Sequence, residues 1–148
     1  DLGSVFLQEY LEDVEEWRLV RIADSYFCRQ KEKVGDYHSG SGKLQWQKPA
    51  REMLELTREV TDTGRFTSMN VDLFKTRDGR LLVNELHALF GAPATSYQLQ
   101  QNENTGRYIY DDKSGKWEFE AGYFYNNACA NLRIEYLINQ FATVLNDE

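Results

Sequence analysis

Asn70-Val71-Asp72-Leu73-Phe74, then Arg77-Asp78-Gly79-Arg80, then Leu81-Leu82-Val83-Asn84-Glu85-Leu86-His87 is the stretch on which the fold turns. Two apolar, β-prone runs joined by an Asp-Gly turn read as a β-hairpin. With Asp78-Gly79 as a two-residue loop, Arg77 pairs with Arg80. Asp72 then lies opposite Glu85, and Asn70 opposite His87, all on one face. A three-residue loop with a bulged glycine slips this register by one and sets Asn84 opposite Asp72 instead. Two carboxylates roughly 5 Å apart across a ladder repel each other. A divalent cation between them relieves that repulsion, and Mg2+ is held by one or two carboxylates plus substrate phosphates. The plainer alternative is a solvated acidic hairpin face.

Outward from the hairpin, 148 residues with 41% hydrophobic and 14% aromatic content can build one globular core. The chain is too aromatic for a disordered segment and has only two prolines. No apolar run reaches about 18 residues, so no membrane span is expected. No basic n-region marks a signal peptide at Asp1-Leu2-Gly3-Ser4. The start also lacks Met, which suits a piece of a longer protein or a processed product. A net charge of −7 weighs against sequence-independent binding to nucleic acid or anionic membrane, both of which need a basic surface. Cys28 and Cys129 fit no CxxC spacing, and buried free thiols in a reducing cytoplasm are expected rather than a disulfide.

Residues 5–11 form a short β-prone run ending in Gln8-Glu9-Tyr10-Leu11, and the acidic stretch 12–16 reads as a loop or turn. Trp17-Arg18-Leu19-Val20-Arg21-Ile22 alternates as a strand does. Ala23-Asp24-Ser25 turns the chain, and Tyr26-Phe27-Cys28-Arg29-Gln30-Lys31 returns antiparallel. Residues 35–42 are a glycine-rich loop. Pro49 suits the first turn of a helix whose stripe is Met53, Leu56 and Val60, with Gly64 as its stop. After the hairpin, Phe90-Gly91-Ala92-Pro93 closes that unit. Arg107-Tyr108-Ile109-Tyr110 and Lys116-Trp117-Glu118-Phe119 suggest a second hairpin. A final helix of about 22 residues carries Phe124, Ala128, Leu132, Leu137, Phe141, Val144 and Leu145 as an apolar stripe. Hairpin connections with few helices point to an α+β domain, an antiparallel β-sheet packed with helices.

Taken in order, Gln8-Glu9-Tyr10-Leu11, Glu16-Trp17-Arg18, Gly35-Asp36-Tyr37, Val71-Asp72-Leu73 and Glu85-Leu86-His87 with Gly91 resemble the C-terminal half of an ATP-grasp carboxylate–amine ligase. The resemblance is closest to the branch that adds glutamate to peptides. It implies that residues 1–91 form the ATP-grasp C-terminal subdomain and 92–148 a hairpin-and-helix extension of the same domain. It further implies that Glu9, Tyr10 and Leu11 are the hinge contacting adenine, and that Glu16 contacts the ribose. Arg18 would lie near the phosphates and the acyl phosphate. Asp72 and Glu85 would bind the Mg2+ ions that bridge the phosphates of ATP. The family's third ligand is usually an asparagine at the place of His87. Imidazole favours softer transition metals, so His87 could hydrogen-bond a phosphate, accept Mn2+, or mark a site that no longer turns over. The loop between Asp72 and Glu85 is also one residue longer than is usual in close relatives. The family's phosphate loop and lysine-bearing strands precede the hinge, so the chain reads as a fragment that lacks its N-terminal lobes.

The implied chemistry is phosphoryl transfer from ATP to a carboxylate, then displacement of phosphate by an amine. Positioning and charge neutralisation suffice for it. Arg29 or Lys31 would add positive charge to Arg18, although exposed edge cations are the preferred reading of that pair. His38 reads as a solvent-exposed loop residue, and Ser39 and Ser41 lack a local base. Trp17, Trp46 and Trp117 read as packing residues. Residues 96–148 could cover the sheet edge, add a surface for a second copy of the chain, or shape the substrate pocket. The expected partners are therefore ATP and small-molecule or peptide carboxylate and amine substrates, in the cytoplasm, with no nucleic acid or membrane. Two alternatives stand beside the ligase: a kinase on the same fold, and a degenerate ATP-grasp domain serving as a non-catalytic binding or assembly module.

Overall fold

The computed structural model describes residues 3–5, 7–33, 35, 44–45, 48–90, 99–101, 104–122, 124 and 128–146. Eight strands and two helices follow one another in these residues. They are β1 (Glu15–Ile22), β2 (Ser25–Lys31), β3 (Leu44–Gln45), α1 (Arg51–Thr63), β4 (Ser68–Lys75), β5 (Leu81–His87), β6 (Leu99–Gln101), β7 (Asn104–Asp111), β8 (Lys116–Ala121) and α2 (Ala128–Asn146). The strands form one sheet in the order β5-β4-β1-β2-β7-β6, with β3 on β2 and β8 on β7. Every pairing is antiparallel. This is the expected α+β architecture, and no described helix is long and apolar enough to cross a membrane.

Strand alternation separates two faces of the sheet. On one, Trp17, Leu19, Tyr26, Cys28, Met69, Val71 and Leu73 are buried against Met53 and Leu54 of α1. The helix meets them with a stripe of Met53, Leu54, Thr57 and Thr61, all buried, while Leu56 and Val60 flank the core. Two threonines fit there because their hydroxyls bond back to the carbonyls of Met53 and Thr57, each at 2.7 Å. On the other face, Val20, Ile22 and Phe27 pack with Phe90, Phe124 and Leu132, so α2 covers only one end of it. The remaining end of that face is polar.

Several expectations need correction. Residues 5–11 form no strand among the described residues, and Val5, Leu7 and Tyr10 are exposed. Without a partner ladder, β-propensity alone does not make a strand. Glu15 and Glu16 belong to β1, not to the preceding loop. Pro49 precedes the first turn, because Ala50 is the N-cap. Helix α2 spans 19 residues and starts after Phe124. Leu137 and Phe141 of its apolar stripe are exposed, as are Ile134 and Ile138. The Gly-rich loop beyond Gly35, with His38, Ser39 and Ser41, lies outside the described residues, as do Trp46 and residues 91–93. Cys28 is a buried free thiol; the side chain of Cys129 is outside the described set.

Candidate metal and phosphate site

The β4–β5 hairpin reconciles both registers that the sequence allows. Near the turn, Thr76 donates its N–H to the Arg80 carbonyl at 2.9 Å, and Gly79 adopts φ +86. The loop is therefore Arg77-Asp78-Gly79, three residues closed by a left-handed glycine, and Arg77 does not pair with Arg80. Leu73 faces Val83 in that register. A bulge then intervenes, so that Asp72 faces Glu85 and Asn70 faces His87. The extra residue is Asn84. Its insertion lets Leu81 and Val83 share the α1 side with Leu86, while Glu85 and His87 turn to the polar side. The apolar spacing 81, 83, 86 was the available sign of that parity change.

Across the polar end, one row of side chains runs Glu85, Asp72, Arg18, Arg29 over β5, β4, β1 and β2. The flanking rows are His87, Asn70, Val20, Phe27 and Leu82, Phe74, Glu16, Lys31. Carboxylates thus occupy one end of the central row and guanidinium groups the other.

Asp72 is fully buried. Arg18 grips it with two parallel bonds, Nε to Oδ1 at 2.8 Å and an Nη to Oδ2 at 2.7 Å. Lys31 Nζ donates to Oδ2 at 2.9 Å, and Asn70 Nδ2 to Oδ1 at 3.1 Å. Burial pushes the Asp72 pKa up, but the bonds and charges of Arg18 and Lys31 outweigh it and hold the group at about 2. Lys31 also donates to the buried Glu16 carboxylate. Arg29 and Lys31 are buried, not exposed edge cations, because β2 lies inside the sheet between β1 on one side and β3 and β7 on the other.

Asp72, Glu85 and His87 each offer a ligand atom, and those atoms lie within 4.8 Å of one another. His87 Nε2 is 2.7 Å from Glu85 Oε2, and both side chains are about half exposed. The donor set, two carboxylates and an imidazole, suits a divalent cation. Asp72 meets it at a cost, since a carboxylate has about four lone-pair positions and four donor contacts already engage this one.

The hinge candidates fall elsewhere. Glu9 and Tyr10 are exposed, Leu11 is half-buried, and none is on a strand. Glu16, expected at a ribose, is buried in its ion pair with Lys31. Beyond Lys31 an open cleft of about 750 Å3 is lined by Asp13, Glu15, Lys33, Lys75 and Arg77 among others. Asn70 was given no role in the sequence; its position two residues before Asp72, on the same face, was the signal. Compared with protein-family models, curated proteins and solved structures, the chain matches none.

Proposed function

We propose that this chain carries the nucleotide- and Mg2+-binding portion of an ATP-dependent carboxylate–amine ligase of the ATP-grasp type. The observation that carries the reading is the polarised row Glu85, Asp72, Arg18, Arg29. A metal–triphosphate ligand needs anionic ligands at one end and cations at the other, and this row offers both on one face of the sheet. Asp72, Glu85 and His87 would hold the ion, whose charge, when bound, neutralises phosphate oxygens. Arg18, Arg29 and Lys31 position and neutralise the transferring phosphoryl group. The cleft beyond Lys31 opens beside Asp13, close in sequence to Glu9-Tyr10-Leu11, and is large enough for a nucleoside. A substrate carboxylate oxygen would attack the γ-phosphorus with ADP leaving, and an amine would then displace phosphate from the acyl carbon.

A second reading is a degenerate ATP-grasp domain acting as a binding or assembly module. The saturation of Asp72 and the buried Glu16–Lys31 pair favour it, because such a cluster is self-sufficient without a ligand.

Titrating ATP into the full-length gene product, with and without Mg2+, tests the two. The ligase reading expects Mg2+-dependent binding that is lost in Glu85→Ala, a half-exposed position whose removal spares the core. ADP release that requires an added amine separates ligase from kinase. Mg2+-independent or absent ATP binding leaves the module.

A further inference from the structure

Helix α2 meets the sheet through Leu132, which packs with Val20, Ile22 and Phe27, and through Arg133, whose Nε donates to Ser68 Oγ at 2.9 Å and whose guanidinium lies over the Phe90 ring. At 3.6 residues per turn the side of the helix away from Leu132 carries Ile134, Leu137, Ile138 and Phe141. All four are between 52 and 65% exposed. Their spacing, i, i+3, i+4 and i+7, is the seam by which one helix packs on another. One flank of the seam opens on an apolar hollow of about 200 Å3 between Leu137, Tyr136, Ile22, Ala23 and Ala88.

Three observations choose the occupant. The seam is its own complement when reversed: about the midpoint between Leu137 and Ile138, a second α2 running the other way sets Ile134 against Phe141, Leu137 against Ile138, and Glu135 against Gln140. A two-fold axis there repeats each contact, which is the geometry of an isologous dimer. A parallel pair would instead align two helix dipoles and bring each charge on α2 toward its own copy. Charge agrees, because the chain carries −7, whereas α2 has one arginine, one glutamate and no other charged side chain. Two acidic copies therefore repel least when they approach through this helix. Area agrees as well. Each seam residue would remove roughly 100 Å2 from water. With the exposed flanks Ala130, Asn131, Glu135 and Gln140, two copies would bury roughly 1,000 Å2, the size at which specific association begins. We propose that two copies of this chain associate through α2, antiparallel and two-fold symmetric, with apolar side chains of the second copy entering the hollow beside Leu137. The proposal stands apart from the ATP-grasp reading.

Sedimentation equilibrium of the chain from about 1 to about 200 µM tests it, since an interface of this size assembles in the micromolar range. A reversible equilibrium between one chain and two is expected. Ile134→Glu and Phe141→Lys, both at exposed positions, should each keep the circular dichroism of the unaltered chain and weaken the dimer at least about tenfold. Mixed in equal amounts, the two variants should recover it, because the antiparallel register sets the introduced carboxylate against the introduced ammonium. A parallel pairing sets each new charge against an apolar side chain and recovers nothing. A single-chain mass at every concentration overturns the proposal and leaves the seam to another segment of a longer protein. An open-ended series of larger species, a dimer that neither variant weakens, or a mixture that stays dissociated overturns it too. If either variant unfolds, Ile138→Lys decides by mass alone, and an undiminished dimer there overturns the proposal.

Discussion

Burial ordinarily opposes ionisation of a carboxyl group, and at Asp72 the bidentate Arg18 and the Lys31 ammonium reverse that tendency, leaving the pKa at about 2. The folded value lies below the unfolded one, so ionised Asp72 stabilises the fold fully above the ordinary carboxylate range. That contribution falls away as pH drops toward about 2, and amounts to about 2 kcal/mol. Urea unfolding at pH 5 and at pH 2.5 should include it, and Asp72→Asn should narrow the difference between the two by about 1–2 kcal/mol. Asp72→Ala is a poorer probe of function, since it removes the carboxylate that the half-buried Arg18 and the buried Lys31 share and costs stability of its own. The sequence named Asp72, Glu85 and His87 correctly as neighbours, because a hairpin brings strand partners together whatever surrounds them. It could not show that Arg18 and Lys31 already hold Asp72, for those contacts cross between strands far apart in sequence.

Helix α1 shows how an element boundary can be right for a different reason. Gly64 ends it, but with an ordinary φ of −78. Arg65 takes the left-handed position, φ 53, and Phe66 and Arg65 donate their N–H groups to the carbonyls of Thr61 and Asp62 at 2.8 and 3.1 Å. Glycine suits 64 because an added Cβ would lie 2.2 Å from the Phe66 ring, which would have to shift. Two substitutions should therefore act in opposite directions. Arg65→Gly relieves the left-handed residue and should stabilise by about 1 kcal/mol. Gly64→Ala overpacks against Phe66 and should destabilise by about 1–3 kcal/mol; thermal melts of both variants check the signs. In the β4–β5 hairpin the turn and the bulge each displace the register once, and the two displacements together return Asp72 to Glu85. Turn chemistry was legible in Asp78-Gly79, whereas the bulge follows from which side chains the α1 face accepts.

Across the molecule, cover on the two sheet faces is unequal. Strands β1 and β4 lie inside the sheet with α1 on one face, and β5 is the edge strand beyond β4. Amide hydrogen exchange should be slowest in β1 and β4 and faster in β5 and α2. Equal protection of β5 and β1 would contradict this account. Helix α2 was expected to carry a long apolar stripe, and Leu137 and Phe141 of that stripe, with Ile134 and Ile138, face outward. An apolar period establishes that a helix has a greasy side; it does not establish that anything in the described chain meets that side.

The sequence by itself determined the local pieces: the β1–β2 and β7–β8 hairpins, the Asp-Gly turn of the β4–β5 hairpin, and α1 with its end at Gly64. Each depends on backbone periodicity and turn chemistry acting over a few residues. Only the tertiary structure decided that β2 is interior, that Arg29 and Lys31 are buried, that Glu16 is engaged by Lys31, and that Asn70 keeps a carbonyl oxygen unsatisfied. Those outcomes depend on which strands become neighbours, and burial and ion pairing between distant segments exist only once the sheet has closed.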